Sequence, residues 1–327
     1  MKINFLDPQV RYLIDYANLK HGIIKYQKNF LNLGEFNEFE KKPYYGFPLV
    51  LPIGIKYFDY TNSYSFKLNK KRVLTKIFKS KNQNYIGSKI FFQFGDKFAY
   101  NVRLKEKYIN HISEINKLNL SLIKKINRIK KNSYISSFQT RNIPHHGHEK
   151  IIQELMGKRG KVIINPLVGM KKKGDFKNEI LTKIFKKLLS NKEYRNKVYF
   201  HTLVANMHYA GPREAMHHIN LREMVGFNRF TVGRDHAGAQ NNYHPLDAYN
   251  TVAKNIKNFN IDIFLHKGSY FCKSCNKVVI KSNCNHKEFL EISGSEFRGN
   301  LLKKKHFKYA KRSIQKYIYK INNKLFY

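Results

Sequence analysis

The spacing of apolar positions changes along the chain, and the change marks out its parts. Four short apolar runs, Tyr134 to Phe138, Lys161 to Asn165, Lys197 to Leu203 and Arg229 to Val232, are too brief for helices and read as buried strands. Between them, over His148 to Met156, Lys177 to Leu189 and Pro212 to Val225, apolar residues fall three and four apart, which gives a helix one apolar face. Alternation of this kind predicts an α/β layer in which helices cover both faces of a parallel sheet. Upstream, a lysine-rich helical stretch runs from Leu104 to Lys131. Before it, runs such as Gly46 to Tyr57 and Lys89 to Val102, broken by Gly, Pro, Asn and Asp, predict a β-rich amino-terminal part. From Gly268, a cysteine-bearing segment and closing helices form the last part. A length of 327 residues is too great for one core, and the expected units are 1–131, 132–267 and 268–327.

Composition qualifies this picture. A formal net charge of +40 would ordinarily point to a nucleic-acid partner. The basic clusters, however, are dispersed over Lys67 to Arg72, Lys124 to Lys131, Lys171 to Lys173 and Lys303 to Lys305, and form no single stripe. Lys exceeds Arg, Asn, Ile, Phe and Tyr are abundant and Trp is absent, as AT-rich codons produce across a genome. No specific nucleic-acid partner is therefore expected, and the diffuse charge is read as a field that speeds encounter with anions. No run of about 18 apolar residues suggests a membrane span. Met1 to Pro8 lacks a secretory apolar core, so the expectation is a soluble, cytoplasmic protein.

Candidate chemistry sits where predicted strands end. The segment Gln139-Thr140-Arg141-Asn142-Ile143-Pro144-His145-His146-Gly147-His148 leads from the first of these strands into a helix. Unpaired N–H groups at the helix start, an Arg, amides and two histidines three apart suit a phosphate-like group. A second polar turn, Gly233-Arg234-Asp235-His236-Ala237-Gly238, follows the strand Arg229 to Val232. Either turn alone also fits a capped surface loop, a reading that the two together disfavour. Loops after neighbouring parallel strands meet at one edge, so Arg141 and Arg234 are expected to face one oxyanion. The segment Ser293-Gly294-Ser295-Glu296-Phe297-Arg298 supports two readings equally: hydroxyls capping a helix, or Arg298 reaching a phosphate or carboxylate. Arg213 and His217, just inside the helix opened by Gly211-Pro212, are either pocket-lining or core and capping residues.

Cys272, Cys275 and Cys284 are the chain's three cysteines and lie close to His286. Two thiolates separated by two residues, with a second pair from a following loop, suit a tetrahedral Zn²⁺ in a Cys₃His site. An Asp or another nearby His remains an alternative fourth ligand. A disulfide would leave one cysteine over, so one structural zinc ion is favoured.

Four ordered motifs carry a resemblance to the sulfate adenylyltransferases, the ATP sulfurylase family. They are Gln139-Thr140-Arg141-Asn142 with His145 and His148; Asn165-Pro166-Leu167-Val168-Gly169 with Lys173-Gly174-Asp175; Tyr209-Ala210-Gly211-Pro212-Arg213-Glu214-Ala215; and Gly233-Arg234-Asp235-His236-Ala237-Gly238. One departure is visible: the family more often has Asn-Pro-x-His, whereas Asn142-Ile143-Pro144-His145 moves the proline one place later. The resemblance implies a Rossmann-like nucleotidyltransferase domain, preceded by a small β-barrel (PUA-like) domain and followed by a small zinc-containing domain. It implies that ATP and sulfate give adenosine 5'-phosphosulfate and pyrophosphate, with Mg²⁺ accompanying ATP, in a homo-oligomer.

By the same resemblance, Gln139, Arg141 and the backbone of Ala237 hold sulfate. Thr140, Arg141, Asn142, His145 and His148 serve catalysis, the histidines on the leaving pyrophosphate. Gln139, Arg141, Asn142, Gly233, Arg234, Asp235 and His236 contact ATP, and Gly147 leaves room for the nucleotide. No Gly-x₄-Gly-Lys-Ser/Thr loop is present, so a fused adenylylsulfate kinase is not expected. Two alternatives stand beside this reading: another nucleotidyltransferase with an H-x-G-H loop, and a zinc-knuckle RNA-binding protein.

Overall fold

A computed structural model describes residues 3–42, 46–169, 171–280, 284–321 and 325–327. Its amino-terminal part is more helical than the sequence suggests. Helices α1 (Val10–Lys20), α2 (Leu33–Lys41), α3 (Lys70–Lys76) and α4 (Ile86–Phe91) are interspersed with strands β1 (Leu51–Pro52), β2 (Phe58–Asp59), β3 (Tyr64–Lys67), β4 (Lys97–Tyr100) and β5 (Arg103–Leu104). The strands pair antiparallel in two small sheets, β1-β4-β3 and β2-β5. The expected β-rich runs are thus corrected: only Leu51–Pro52 is strand within 46–57, and the run from Lys89 begins inside α4. The Ile90-Phe91-Phe92 sequence has strand-like propensity. Phe91, however, packs against Phe47, Phe78 and Phe98, and this tertiary packing overrides it.

Helix α5 (Ile109–Lys130) buries Ile112, Ile115, Asn119, Leu122, Ile126 and Ile129 at spacings of three and four, as its pattern predicts. The strands of the central sheet are β6 (Ile135–Phe138), β7 (Lys161–Ile164), β8 (Val198–Phe200), β9 (Arg229–Val232) and β10 (Asp262–Leu265). All pair parallel, in the order β10-β9-β6-β7-β8. The connecting segments carry α6 (His146–Met156), α7 (Asn178–Leu189), α8 (Pro212–Met224) and α9 (Asp247–Asn255). Four of these strands and three of these helices lie where the apolar pattern put them; α9 and the edge strand β10 were not anticipated.

Side-chain alternation in the strands divides the core. On β7, Val162 and Ile164 join a cluster with residues of α6, α7 and the carboxyl-terminal part, whereas Ile163 joins one with residues of α5, α8 and the amino-terminal part. Each flanking part therefore shares a core with one face of the sheet. The last part has an antiparallel sheet β12-β11-β13, built from β11 (Ser269–Cys272), β12 (Lys277–Ile280) and β13 (Phe289–Glu291), followed by α10 (Gly294–Leu302) and α11 (Arg312–Lys320). No helix among the described residues is long and apolar enough to cross a membrane.

The strand order has one consequence for the site. From β6 the chain moves toward β7, and from the adjacent β9 it moves the other way, toward β10. Connections that diverge from neighbouring strands leave a crevice at their carboxyl ends, where ligands of such sheets bind.

Candidate active site

Both motif loops open into that crevice. After β6, Thr140 Oγ1 accepts from Asn142 N at 3.0 Å, and His145 Nδ1 accepts from His148 N at 3.4 Å. His145 thereby caps α6, which starts at His146, two residues earlier than its apolar period indicates. Gly147 has a different role from the one the resemblance implies. A Cβ there would lie 2.4 Å from Ser269 Oγ, so the glycine lets α6 approach β11 and does not border the cleft.

After β9, a Cβ on Gly233 would lie 2.3 Å from the His266 ring. Asp235 and Ala237 have φ of 54° and 57°, in the left-handed region that costs non-glycine residues about 1–2 kcal/mol each. Turns of this type gather backbone N–H groups into concavities that suit anions. Arg141 Nη2 donates to Gly238 O at 2.6 Å and fastens the two loops together.

Gln139, Thr140, Arg141, Asn142, His145 and His148 from the first loop, and Gly233 to Ala237 from the second, line one cleft of about 620 Å³. Arg141 Nη1 is buried without a hydrogen-bond partner among the described residues, while the guanidinium lies 5.9 Å from the Tyr209 ring centre. Tyr209 in turn donates to Asp175 Oδ2 at 3.0 Å, so Lys173-Gly174-Asp175 and the Tyr209 motif both support Arg141. Glu214 fixes the Tyr209 loop by accepting from the N–H groups of His208 at 2.7 Å and Ala210 at 2.9 Å.

The two loop histidines stack with ring centres 3.8 Å apart. Burial pushes His148 down to about 4 and, helped by the neighbouring imidazole of His148, pushes His145 well below the ordinary histidine range. Both are neutral near pH 7 and can donate an N–H without carrying charge.

The partners of Arg234 come from far along the chain. Its Nη2 forms an ion pair with Glu291 on β13, and its Nη1 donates to Tyr270 on β11 at 3.3 Å. Glu291 holds this guanidinium even further above neutrality than usual. No local pattern sets Tyr270 or Glu291 apart, and the same holds for His266 and Tyr243, which also border the cleft. Ser293 Oγ caps α10 by accepting from Glu296 N at 3.3 Å, as the capping reading expects, while Arg298 lines the cleft and donates to Gly174 O at 3.4 Å. Arg213 and His217 are core residues. Arg213 donates to Glu40 O at 3.0 Å, and His217 Nδ1 lies 2.7 Å from Tyr26 Oη.

The cysteines converge at the far end of the β11–β13 sheet. The ligand atoms of Cys272, Cys275, Cys284 and His286 all lie within 4.8 Å of one another. Cys284 Sγ is 3.7 Å from both other sulfurs, and His286 Nδ1 is 3.2 to 3.5 Å from all three. Those spacings exceed a disulfide bond of about 2.05 Å and match the edges of a tetrahedron with metal–sulfur bonds of about 2.3 Å. The four groups can therefore hold a metal ion, with His286 as fourth ligand.

A family model described as ATP-sulfurylase matches residues 120–309. The sulfate adenylyltransferase of Thermococcus onnurineus is 29% identical over 313 residues, which is 87% of this chain and 81% of that protein. That of Carboxydothermus hydrogenoformans is 35% identical over 244 residues, 72% of this chain and 62% of that one. The match to the enzyme of Ignicoccus hospitalis, 38% over 173 residues, covers 52% of this chain and about half, 45%, of that protein's length. A family match over the greater part of the chain takes in both strand-end loops, the cleft between them and the Cys₃His group: the chain belongs to the ATP-sulfurylase family.

Proposed function

We propose that the chain is a sulfate adenylyltransferase that joins ATP and sulfate into adenosine 5'-phosphosulfate and releases pyrophosphate. A sulfate oxygen forms the new bond to the α-phosphorus while the bond to the β-phosphate bridging oxygen breaks, its electrons leaving on pyrophosphate. Sulfate is already an anionic nucleophile, so no base is needed, and the barrier is one of bringing like charges together in a pocket that excludes water. The buried, unpartnered Nη1 of Arg141 carries this reading, since such a donor between two anion-suited loops calls for an oxyanion.

In this reading Gln139, Arg141 and the Ala237 backbone hold sulfate. Thr140 and Asn142 complete the catalytic loop with Arg141, and His145 and His148 donate to the departing pyrophosphate. Gly233, Arg234, Asp235 and His236 hold the nucleotide together with Gln139, Arg141 and Asn142, and Arg298 adds charge at the cleft's rim. Mg²⁺ comes with ATP, held chiefly by phosphate oxygens.

Molybdate provides the test, because its adduct with AMP falls apart in water and turnover continues. Purified protein should release pyrophosphate from ATP in a molybdate-dependent way. Release that instead required phosphopantetheine or nicotinate mononucleotide would favour the other H-x-G-H enzymes, and RNA binding without turnover would favour a zinc-knuckle RNA binder.

The metal belongs to the same reading: one structural Zn²⁺ per chain, with all four positions filled by protein. Metal analysis should find about one zinc per chain, and its removal should lower the thermal midpoint by on the order of 10 °C. Full stability in a zinc-free preparation would remove the assignment. Thiols kept for a metal suit a reducing compartment, so the reading places the protein in the cytoplasm. It further takes residues 1–131 as the PUA-like unit, 132–267 as catalytic and 268–327 as the zinc-bearing unit, within a homo-oligomer.

A further inference from the structure

Helix α8 is buried at every position from Arg213 to Arg222, and many of these residues are polar. Buried polar groups need partners. His218, with no exposed surface, has three in reach. Its Nδ1 lies 3.2 Å from Gln139 Nε2 and 3.0 Å from His236 Nε2, and its Nε2 faces Glu214 Oε1 at 3.2 Å without hydrogen-bond alignment. One imidazole outside the cleft lining thus touches both motif loops.

The hydrogen inventory then selects between two orientations of the Gln139 amide, whose oxygen and nitrogen ends have the same shape. With the nitrogen toward His218, its other hydrogen-bond partner among the described residues is Met207 Sδ at 3.8 Å, and Oε1 is buried there without a donor. That arrangement offers an oxyanion nothing but a lone pair. Turned over, the amide oxygen accepts from His218 Nδ1–H, a hydrogen shared with His236 Nε2 as second acceptor at 3.0 Å, and the NH₂ takes the unpartnered position, where an oxyanion supplies the missing acceptor. An imidazole protonated on Nδ1 turns a lone pair at Nε2 toward Glu214. Burial raises the Glu214 carboxyl above its ordinary range, which lessens the repulsion between its charge and that lone pair.

We propose that His218 is a positioning residue for the sulfate subsite: by donating from Nδ1 to the amide oxygen of Gln139, it aims the Gln139 NH₂ at the oxyanion. The assignment rests on the sulfate reading above. Three substitutions separate it from a packing role, because Asn places an amide where Nδ1 lies, Gln places one where Nε2 lies, and Leu offers neither.

The His218→Leu and His218→Gln variants should raise KM for sulfate about tenfold or more, the effect of one lost buried hydrogen bond, while KM for ATP moves less than about threefold. His218→Asn should restore most of the sulfate affinity. In a Gln139→Ala background, His218→Leu should add nothing further to KM for sulfate. If His218→Leu does not fold, the Asn and Gln variants decide the matter between them. Parallel rises in both KM values, equal behaviour of Asn and Gln, or additive effects in the double mutant would each overturn the assignment. Wild-type protein without turnover would refute the functional reading and this role with it, whereas normal turnover with His218→Leu and His218→Gln unaltered refutes only the role.

Discussion

Arg141→Ala should lower kcat/KM for adenosine 5'-phosphosulfate formation by about 10²–10³-fold or more while leaving the fold in place. The two ends of the Arg141 guanidinium have different surroundings. Nη2 is occupied by Gly238 O, which holds the fork in place, while Nη1 is buried without a hydrogen-bond partner among the described residues. A donor fixed before the substrates arrive needs no reorganisation as charge crowds together in the transition state. Tyr209 backs the guanidinium and is itself hydrogen-bonded to Asp175, which holds the fork in place from the other side. Arg141→Lys should be nearly as damaging, since an ammonium cannot span both acceptors. The cost in stability is small, because the lost contact is one hydrogen bond from a loop, about 1 kcal/mol. Steady-state rates beside a melting curve test this; a near-normal rate, or a loss of activity that merely follows unfolding, would remove Arg141 from its role.

Acid should destabilise the protein strongly between pH 6.5 and 4. Burial is the largest cause lowering His145, His148, His208, His217, His218, His236 and His266, with His148 and His266 both pushed to about 4. In the unfolded chain a histidine takes up its proton near pH 6.5, whereas these folded ones stay neutral until far lower pH. Stability is therefore complete above about pH 6.5 and falls as pH drops through the window down to the folded values. His148 and His266 alone remove about 3 kcal/mol each across it. Asp15, raised by burial to about 6, works the other way, gaining relative stability as pH falls, but its smaller shift does not offset the histidines. Calorimetric midpoints at pH 7, 6, 5 and 4 should decline steeply, and a flat profile would mean that these imidazoles are not held neutral.

The parts of this protein that were legible in its sequence are those specified over short distances. Strand-end turns, the histidine pair and the four-ligand metal cluster each lie within a few or a few tens of residues, and the structure brings each set together. The alternating periods located β6 to β9 for the same reason. Missing from that reading were the partners of Arg234, since Tyr270 and Glu291 stand 36 and 57 residues further on, in strands with no distinguishing pattern. His218 was also missed. It sits in a helix polar on nearly every side, where composition suggests exposure and only tertiary packing imposes burial. Edge strand β10 was missed although three of its four residues are Ile, Phe and Leu, because so short an apolar run does not by itself distinguish strand from helix. In the amino-terminal part, aromatic residues pack among themselves and decouple local propensity from the element formed.

The grip of Glu291 and Tyr270 on Arg234 means that an arriving nucleotide does not meet a bare cation. A resident counterion already occupies part of that fork, so on the proposed reading the polyphosphate must exchange with a carboxylate, and the association gains only the difference between the two. On the same reading, Glu291 is at hand to reclaim the guanidinium as the polyphosphate leaves, so departure too exchanges one counterion for another.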